Sequence, residues 1–238
     1  MTVRKTIFVT GGGSATGRAI AQRFAREGWF VGLADTDEAA MDETEALLPG
    51  GFTYCQPLDV SKRGEWDEAL RIVARASGGR IDVLVNNAGL GAGSSLAGQA
   101  QEDIDRAIDL GLRGPIYGAH AAYPWLKETA PGSCLLNIGS AAGLYGMPGH
   151  SGLGAASAGL RALTESLDAE WASEGIGVRS IMPDSNDTSA EDVAEAAWQA
   201  VNGERLHHLV GKTARKLHLL SRWAPNSLRR RARIEARG

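Results

Sequence analysis

The sequence predicts a doubly wound α/β domain with a parallel sheet, and three observations carry that expectation. Short apolar runs rich in β-branched residues alternate with helical patterns along most of the chain, as strand–helix–strand units with right-handed crossovers require. A glycine-rich turn over residues 11–17 follows the first run, and an acid, Asp35, closes the second. The 238 residues suffice for one large core, and no linker long enough to divide it interrupts the pattern. The expected organisation is one domain over residues 1–210, followed by a basic helical tail over residues 211–238.

Taken in order, Ile7-Phe8-Val9 reads as the first strand. Residues 18–27 have helical spacing, with Ile20, Ala21 and Phe24 on one face and Gly28 as a stop signal. Residues 30–34 are apolar on both faces, the mark of a buried parallel strand. Helices are expected over 38–47, 62–76, 102–127, 153–174 and 190–202, and strands over 53–57, 81–85, 134–138, 177–181 and 207–210. Ser189, with Asp192 three residues on, caps the last of these helices. No apolar run approaches the roughly 20 residues of a spanning helix. The first residues pass directly into a strand, so no signal or transit peptide is expected and a cytoplasmic location is the default. Cys55 and Cys134 fit no metal-ligand spacing and read as small, reduced hydrophobes, so no metal is expected.

In such a sheet a ligand lies outside the carboxyl ends of the strands, beside the first turn. Gly11, Gly12, Gly13 and Gly17 allow close backbone approach to a pyrophosphate, and the next helix offers free N–H groups and a positive dipole end. Glycines also make plain turns. Here a strand precedes the turn, a helix follows it and an acid ends the next strand, which together make a dinucleotide site. Asp35 would accept the ribose hydroxyls of an adenosine and repel a 2′-phosphate, and Thr36 follows it where a base would favour that phosphate. NAD is therefore the expected cofactor. The alternative for Asp35 is a cap on the helix beginning near Glu38.

These residues resemble the short-chain dehydrogenase/reductase family, a Rossmann-fold family, over residues 5–210. Gly11, Ser14, Ala15, Thr16 and Gly17 are similar to its cofactor turn. Asp59-Val60 resembles the pair beside the adenine, and Asn86-Asn87-Ala88-Gly89 the motif after the fourth strand. Asn137-Ile138-Gly139-Ser140 looks like the fifth strand with the catalytic serine, and the stretch through Pro183 to Thr188 like the loop over the nicotinamide. The resemblance implies cofactor contacts from Gly11, Ser14, Ala15, Thr16, Gly17, Asp35, Asp59, Val60, Asn87, Ala88, Gly89, Ile138, Pro183 and Thr188. It also implies a homodimer or homotetramer formed through the helices near 102–127 and 153–174. The small residues Gly154, Ala155, Ala158 and Gly159 suit such contact or plain internal packing.

The catalytic positions depart from the family. Its members carry a tyrosine about thirteen residues after the serine and a lysine four residues later; here these positions hold Leu153 and Ser157. Tyr145 is the only tyrosine after Ser140, and no lysine lies between Lys127 and Lys212. Gly111 stands where the family's relay asparagine would be, and Asp184 follows Pro183 where glycine is usual. The segment between Thr188 and the next helix, which covers the substrate in the family, is almost absent.

Two readings from different classes follow. In one, the chain is an NAD(H)-dependent oxidoreductase with a rebuilt site, acting on a small organic substrate such as an iminium or activated double bond. Ser140, Tyr145 and His150 are then the candidate catalytic donors. In the other it is a catalytically inactive NAD-binding sensor, partner subunit or scaffold. Each donor has a bland alternative: a serine bonding its own loop, a packed tyrosine, a surface histidine at a helix entry. Asp184 either steers a cation or is a turn residue.

Charge is unevenly spread. Residues 205–238 hold ten Lys/Arg against one acid, a net +9, which leaves −12 for residues 1–204. Leu217, Leu220 and Trp223 are expected on one face of a tail helix that Pro225 ends, with the last arginines solvated. The tail reads as docked on the acidic domain, as a peripheral membrane contact, or as a substitute for the missing cover. The acidic body argues against nucleic acid as a partner.

Overall fold

The computed structural model describes residues 4–89, 95–184 and 187–235. Seven strands form one sheet: β1 (Thr6–Thr10), β2 (Phe30–Asp35), β3 (Thr53–Pro57), β4 (Val83–Asn86), β5 (Cys134–Ile138), β6 (Gly177–Pro183) and β7 (His207–Val210). Every pairing is parallel, in the order β3-β2-β1-β4-β5-β6-β7. The order reverses between β1 and β4, which opens a crevice at the carboxyl edge beside the first turn. The expected doubly wound Rossmann fold is thus present, in one domain.

The helices are α1 (Ala15–Arg26), α2 (Glu38–Glu45), α3 (Arg63–Ala76), α4 (Gln101–Ile108), α5 (Gly114–Glu128), α6 (Ser151–Trp171), α7 (Ala190–Val201), α8 (Lys212–Trp223) and α9 (Pro225–Glu235). Alternation along the strands divides the core. Ile7, Val9, Val31 and Leu33 pack towards α1, α2 and α7 with Ile20, Phe24, Met41 and Ala197. Phe8, Ala34, Leu84 and Leu135 pack towards α3 and α5 with Trp66, Leu70 and Leu126. Phe24 meets Trp29 and Trp198 edge-on at 5.2 Å each, and Arg23 pairs with Glu195 at 2.9 Å, which locks α1 to α7.

Three boundaries differ from expectation for identifiable reasons. The first helix begins at Ala15, not Arg18, because Ser14 acts as N-cap and its Oγ accepts from Gly17 N–H. Ala15, Thr16 and Gly17 therefore form the first helical turn rather than a loop. The helix expected over 102–127 is split by a five-residue π turn, Asp109–Arg113, with Gly111 buried inside it. The tail continues as a helix past Pro225, which is pre-set for a first helical position and opens α9; that helix buries Leu228 and leaves Arg229, Arg230, Arg231 and Arg233 exposed, as expected of them. Arg237 lies outside the described residues.

The tail is fastened to the carboxyl edge of the sheet. Ala214 and Leu217 join Ala141, Leu144, Met182 and Leu209 in a small third cluster. Asp187 accepts from Lys212 N–H at 2.9 Å and so caps α8. Gly211 makes this possible, since its φ is +96° and a Cβ there would overlap Asp187 and Thr188. Leu217, Leu220 and Trp223 do not share one face. Leu217 packs inward while Trp223 is 79% exposed, because six residues turn a helix through about 600°, some 120° short of two full turns.

Candidate functional site

Beside the switch point, a cleft of about 320 Å³ is lined by Gly11, Gly13, Ser14, Asp35, Asp59, Val60, Ala88 and Gly89, with Arg106 and Leu110 opposite. Its floor is a built turn. Gly11 has φ +64°, and a Cβ there would sit 2.6 Å from Asn87 O. A Cβ on Gly17 would overlap Gly11 O. Asn87 holds this turn from behind: its Nδ2 donates to Thr10 O at 3.1 Å and Gly11 O at 3.3 Å, and its N–H donates to Thr10 Oγ1. Asn87 is therefore a buttress rather than a cleft wall. Ala15 and Thr16, in the first turn of α1, have N–H groups with no acceptor inside the helix.

Asp35 closes β2 at the cleft. Its Oδ1 accepts from Thr36 and Asp37 N–H, and its Oδ2 accepts from Gly13 N–H at 3.0 Å. With two acceptor sites per oxygen, Oδ2 keeps one. The cap on α2 is Asp37, whose Oδ1 accepts from Ala40 N–H, so the capping role weighed for Asp35 belongs to its neighbour. Asp59 turns towards α3: burial pushes its carboxyl up, but the Ser61 hydroxyl and N–H and the Lys62 ammonium outweigh this and hold it below the usual value. Val60 is fixed by Trp66, whose buried indole donates to Val60 O at 3.0 Å. Trp66, Leu58, Arg106 and Leu110 had no signal in the sequence beyond their places in helical or apolar patterns.

At the opposite half of the edge, Ile138 and Pro183 end β5 and β6. Thr188 Oγ1 donates to Val210 O at 3.3 Å, so it braces the start of the tail. Asp184 is 5% exposed, and its N–H donates to Val210 O. Ser140 caps a short 3-10 turn, its Oγ accepting from Ala142 N–H at 3.2 Å. Leu153 is half-buried on α6, and Ser157 is fully buried with its hydroxyl unpaired among the described residues. A chain of buried amides lies beneath: Asn86 Nδ2 donates to Asn137 Oδ1, and Asn137 Nδ2 to Thr164 Oγ1.

Tyr145 and His150 lie at one cavity. Both line a second cavity, of about 640 Å³, with a floor of Ala142, Gly143, Gly154 and Ala158 and a wall of Arg229 and Arg233 from α9. Tyr145 Oη donates to Pro225 O at 3.5 Å, and His150 Nδ1 bonds Pro148 O at 3.0 Å. Ser140 is not part of that lining, and the two cavities share no residue.

The sheet order, the glycine turn and the acid after β2 are those of a dinucleotide-binding fold, and the comparisons with known proteins give the family. The sequence pattern of the short chain dehydrogenases matches residues 5–198. This chain belongs to that family. Among curated relatives, an uncharacterized oxidoreductase of Staphylococcus aureus (strain USA300) is 32% identical over 211 residues, covering 83% of this chain and 90% of that protein. A meso-2,3-butanediol dehydrogenase of Serratia marcescens is 32% identical over 179 residues, covering 75% and 70%. A dehydrogenase/reductase of Sinorhizobium meliloti superposes with a TM-score of 0.80 at 28% identity, covering 88% of this chain and 94% of that one. A short chain dehydrogenase/reductase of Burkholderia phymatum, in complex with NAD, shares the fold with a TM-score of 0.84 at 23% identity, covering 92% and 94%.

As a member of the short chain dehydrogenases, the chain has one grouping of metal-type donors among its described residues, Asp42, Glu45 and Cys55. Burial and the adjacent Glu45 push the Cys55 thiol up to about 12. Burial likewise pushes Cys134 up to about 12. No helix among the described residues is long and apolar enough to cross a membrane.

Proposed function

We propose that this chain is an NAD(H)-dependent oxidoreductase whose substrate is a small organic molecule held under the tail. The observation that carries the cofactor assignment is Asp35, oriented by three backbone N–H groups with an acceptor site left on Oδ2 beside the glycine turn. The Ala15 and Thr16 N–H groups would receive the pyrophosphate, Oδ2 of Asp35 a ribose hydroxyl, and the loop at Val60 the adenine. Asp35 and Asp37 on the cleft wall oppose a 2′-phosphate. The bound nicotinamide would supply or accept hydride.

The chain's own residues would do the rest. Tyr145 and His150 share the second cavity with α9, and a Tyr145 hydroxyl released from Pro225 O would serve as proton donor. If His150 Nδ1 donates to Pro148 O, its Nε2 is left to hold or pass a proton. Leu153 and Ser157 carry no proton relay, so an acceptor that is already cationic or conjugated suits the site better than a simple ketone. Arg229 and Arg233 favour a substrate with an acidic end, because no carboxylate lines that cavity among the described residues.

Two observations favour the alternative, a cofactor-binding protein without turnover. The Ser140 Oγ is engaged by its own loop, and the Ser157 hydroxyl is buried and unpaired. Purified protein with NADH and a panel of cyclic imines, enones and ketones, each with and without a carboxylate, decides. Turnover of the imines or enones supports the enzyme. Tight NADH binding with no turnover on any member establishes the alternative.

A further inference from the structure

Docking of the tail accounts for only one face of its helices. α8 turns Ala214 and Leu217 inward, and α9 turns Leu228 inward. At 100° per residue, Leu219 and Trp223 lie on the side of α8 opposite Ala214, and Arg230 and Ile234 on the side of α9 opposite Leu228. The exposures agree: Leu219 is 58%, Trp223 79% and Ile234 72% exposed. Three large apolar side chains thus stand in water on two short helices. Arg215, Arg222 and Arg230 are exposed alongside them, and among the described residues none of these three is in an ion pair.

We propose that this outward face binds the surface of an anionic lipid bilayer. A tryptophan and two aliphatic side chains would enter the interfacial layer, where an indole is at home, and the arginines would meet lipid phosphates. The charge balance selects this occupant. The tail carries +8 while the remainder of the chain carries −11, so a polyanion reaching past the tail to the body would be repelled, whereas a flat bilayer touches the tail alone. A second copy joined two-fold through the same face would set arginines against arginines. The proposal does not depend on the nicotinamide reading.

The test uses the full chain with vesicles of phosphatidylcholine alone, or of phosphatidylcholine mixed with phosphatidylglycerol, at low and high salt. Co-sedimentation with the mixed vesicles only, weakened by salt, is expected, together with a blue shift in tryptophan emission. A Leu219→Ser/Trp223→Ser variant is expected to bind those vesicles at least about tenfold more weakly and to lose the blue shift, with unchanged thermal unfolding and NADH affinity. Four results would overturn the proposal: no sedimentation with either vesicle; undiminished binding by the variant; a dimer that the variant dissolves; or tighter binding to an oligonucleotide than to the mixed vesicles.

Discussion

The two halves of the sheet's carboxyl edge have been treated differently. Around β1, β2 and β4 four contacts support one geometry: Asn87 braces the turn, Ser14 caps α1, Gly13 aims Asp35, and Trp66 pins Val60. Around β5 and β6 three contacts serve the tail instead. Asp187 caps α8, Thr188 bonds Val210 O, and Tyr145 bonds Pro225 O. On the function proposed above, the difference teaches that a dinucleotide cleft and a reaction centre are separable on this fold. The first is mostly backbone, fixed by a few glycines and amides; the second is side chains on a loop and one helix, free to be replaced.

The largest expected effect strikes the intact half. Gly17→Ala forces a methyl against Gly11 O and should abolish NADH binding while costing about 1–3 kcal/mol of stability; calorimetric titration and thermal unfolding measure the two. On the other half, Tyr145→Phe and Ser140→Ala separate the candidate donors. Whichever is the general acid should lower turnover by about 10²–10⁴-fold with NADH affinity unchanged, and a variant with full activity is excluded from that role. Asp35→Asn comes next: losing a charge-assisted contact of about 1.5–3 kcal/mol should weaken NADH by roughly 10–100-fold and narrow its advantage over NADPH. Truncation after Gly211 probes the boundary between the halves. It should raise the KM for substrate more than the Kd for NADH, and equal changes in both would show that the tail supports the whole edge rather than the second cavity.

The fold was legible because burial and period leave few choices. All seven strands and the capping box at Ser189 and Asp192 lie where apolar runs and capping residues put them. The π turn at Asp109–Arg113 was not legible, since its residues keep an ordinary helical pattern. Asp35 was visible as an acid after a strand, but only the structure shows that Asp37 takes the capping role. Arg106 was hidden because an exposed helical arginine has no sequence mark that aims it at a cleft. The tail's inner and outer faces were misjudged through the 120° drift between Leu217 and Trp223, which a spacing rule applied in steps of three conceals.

The smallest effect concerns stability in acid. Burial lowers His207 despite its contact with Glu165, and burial lowers His208 as well. Below 6.5 the unfolded chain therefore binds more protons at these sites than the folded one, so their contribution is complete above that value and is lost as pH falls through the lowered folded values. Unfolding free energy should therefore rise with pH across this window, and His207→Gln should flatten the rise.

The central claim is that the cleft at Gly11–Gly17 and Asp35 holds NAD(H), whatever the other half does with it. Titration of the full chain with NADH and with NADPH, read by quenching of its tryptophans, tests it most directly. The account predicts saturable NADH binding at least about tenfold tighter than NADPH, the margin of one charge–charge contrast at the ribose. Equal affinity for the two, or no binding of either, would contradict it.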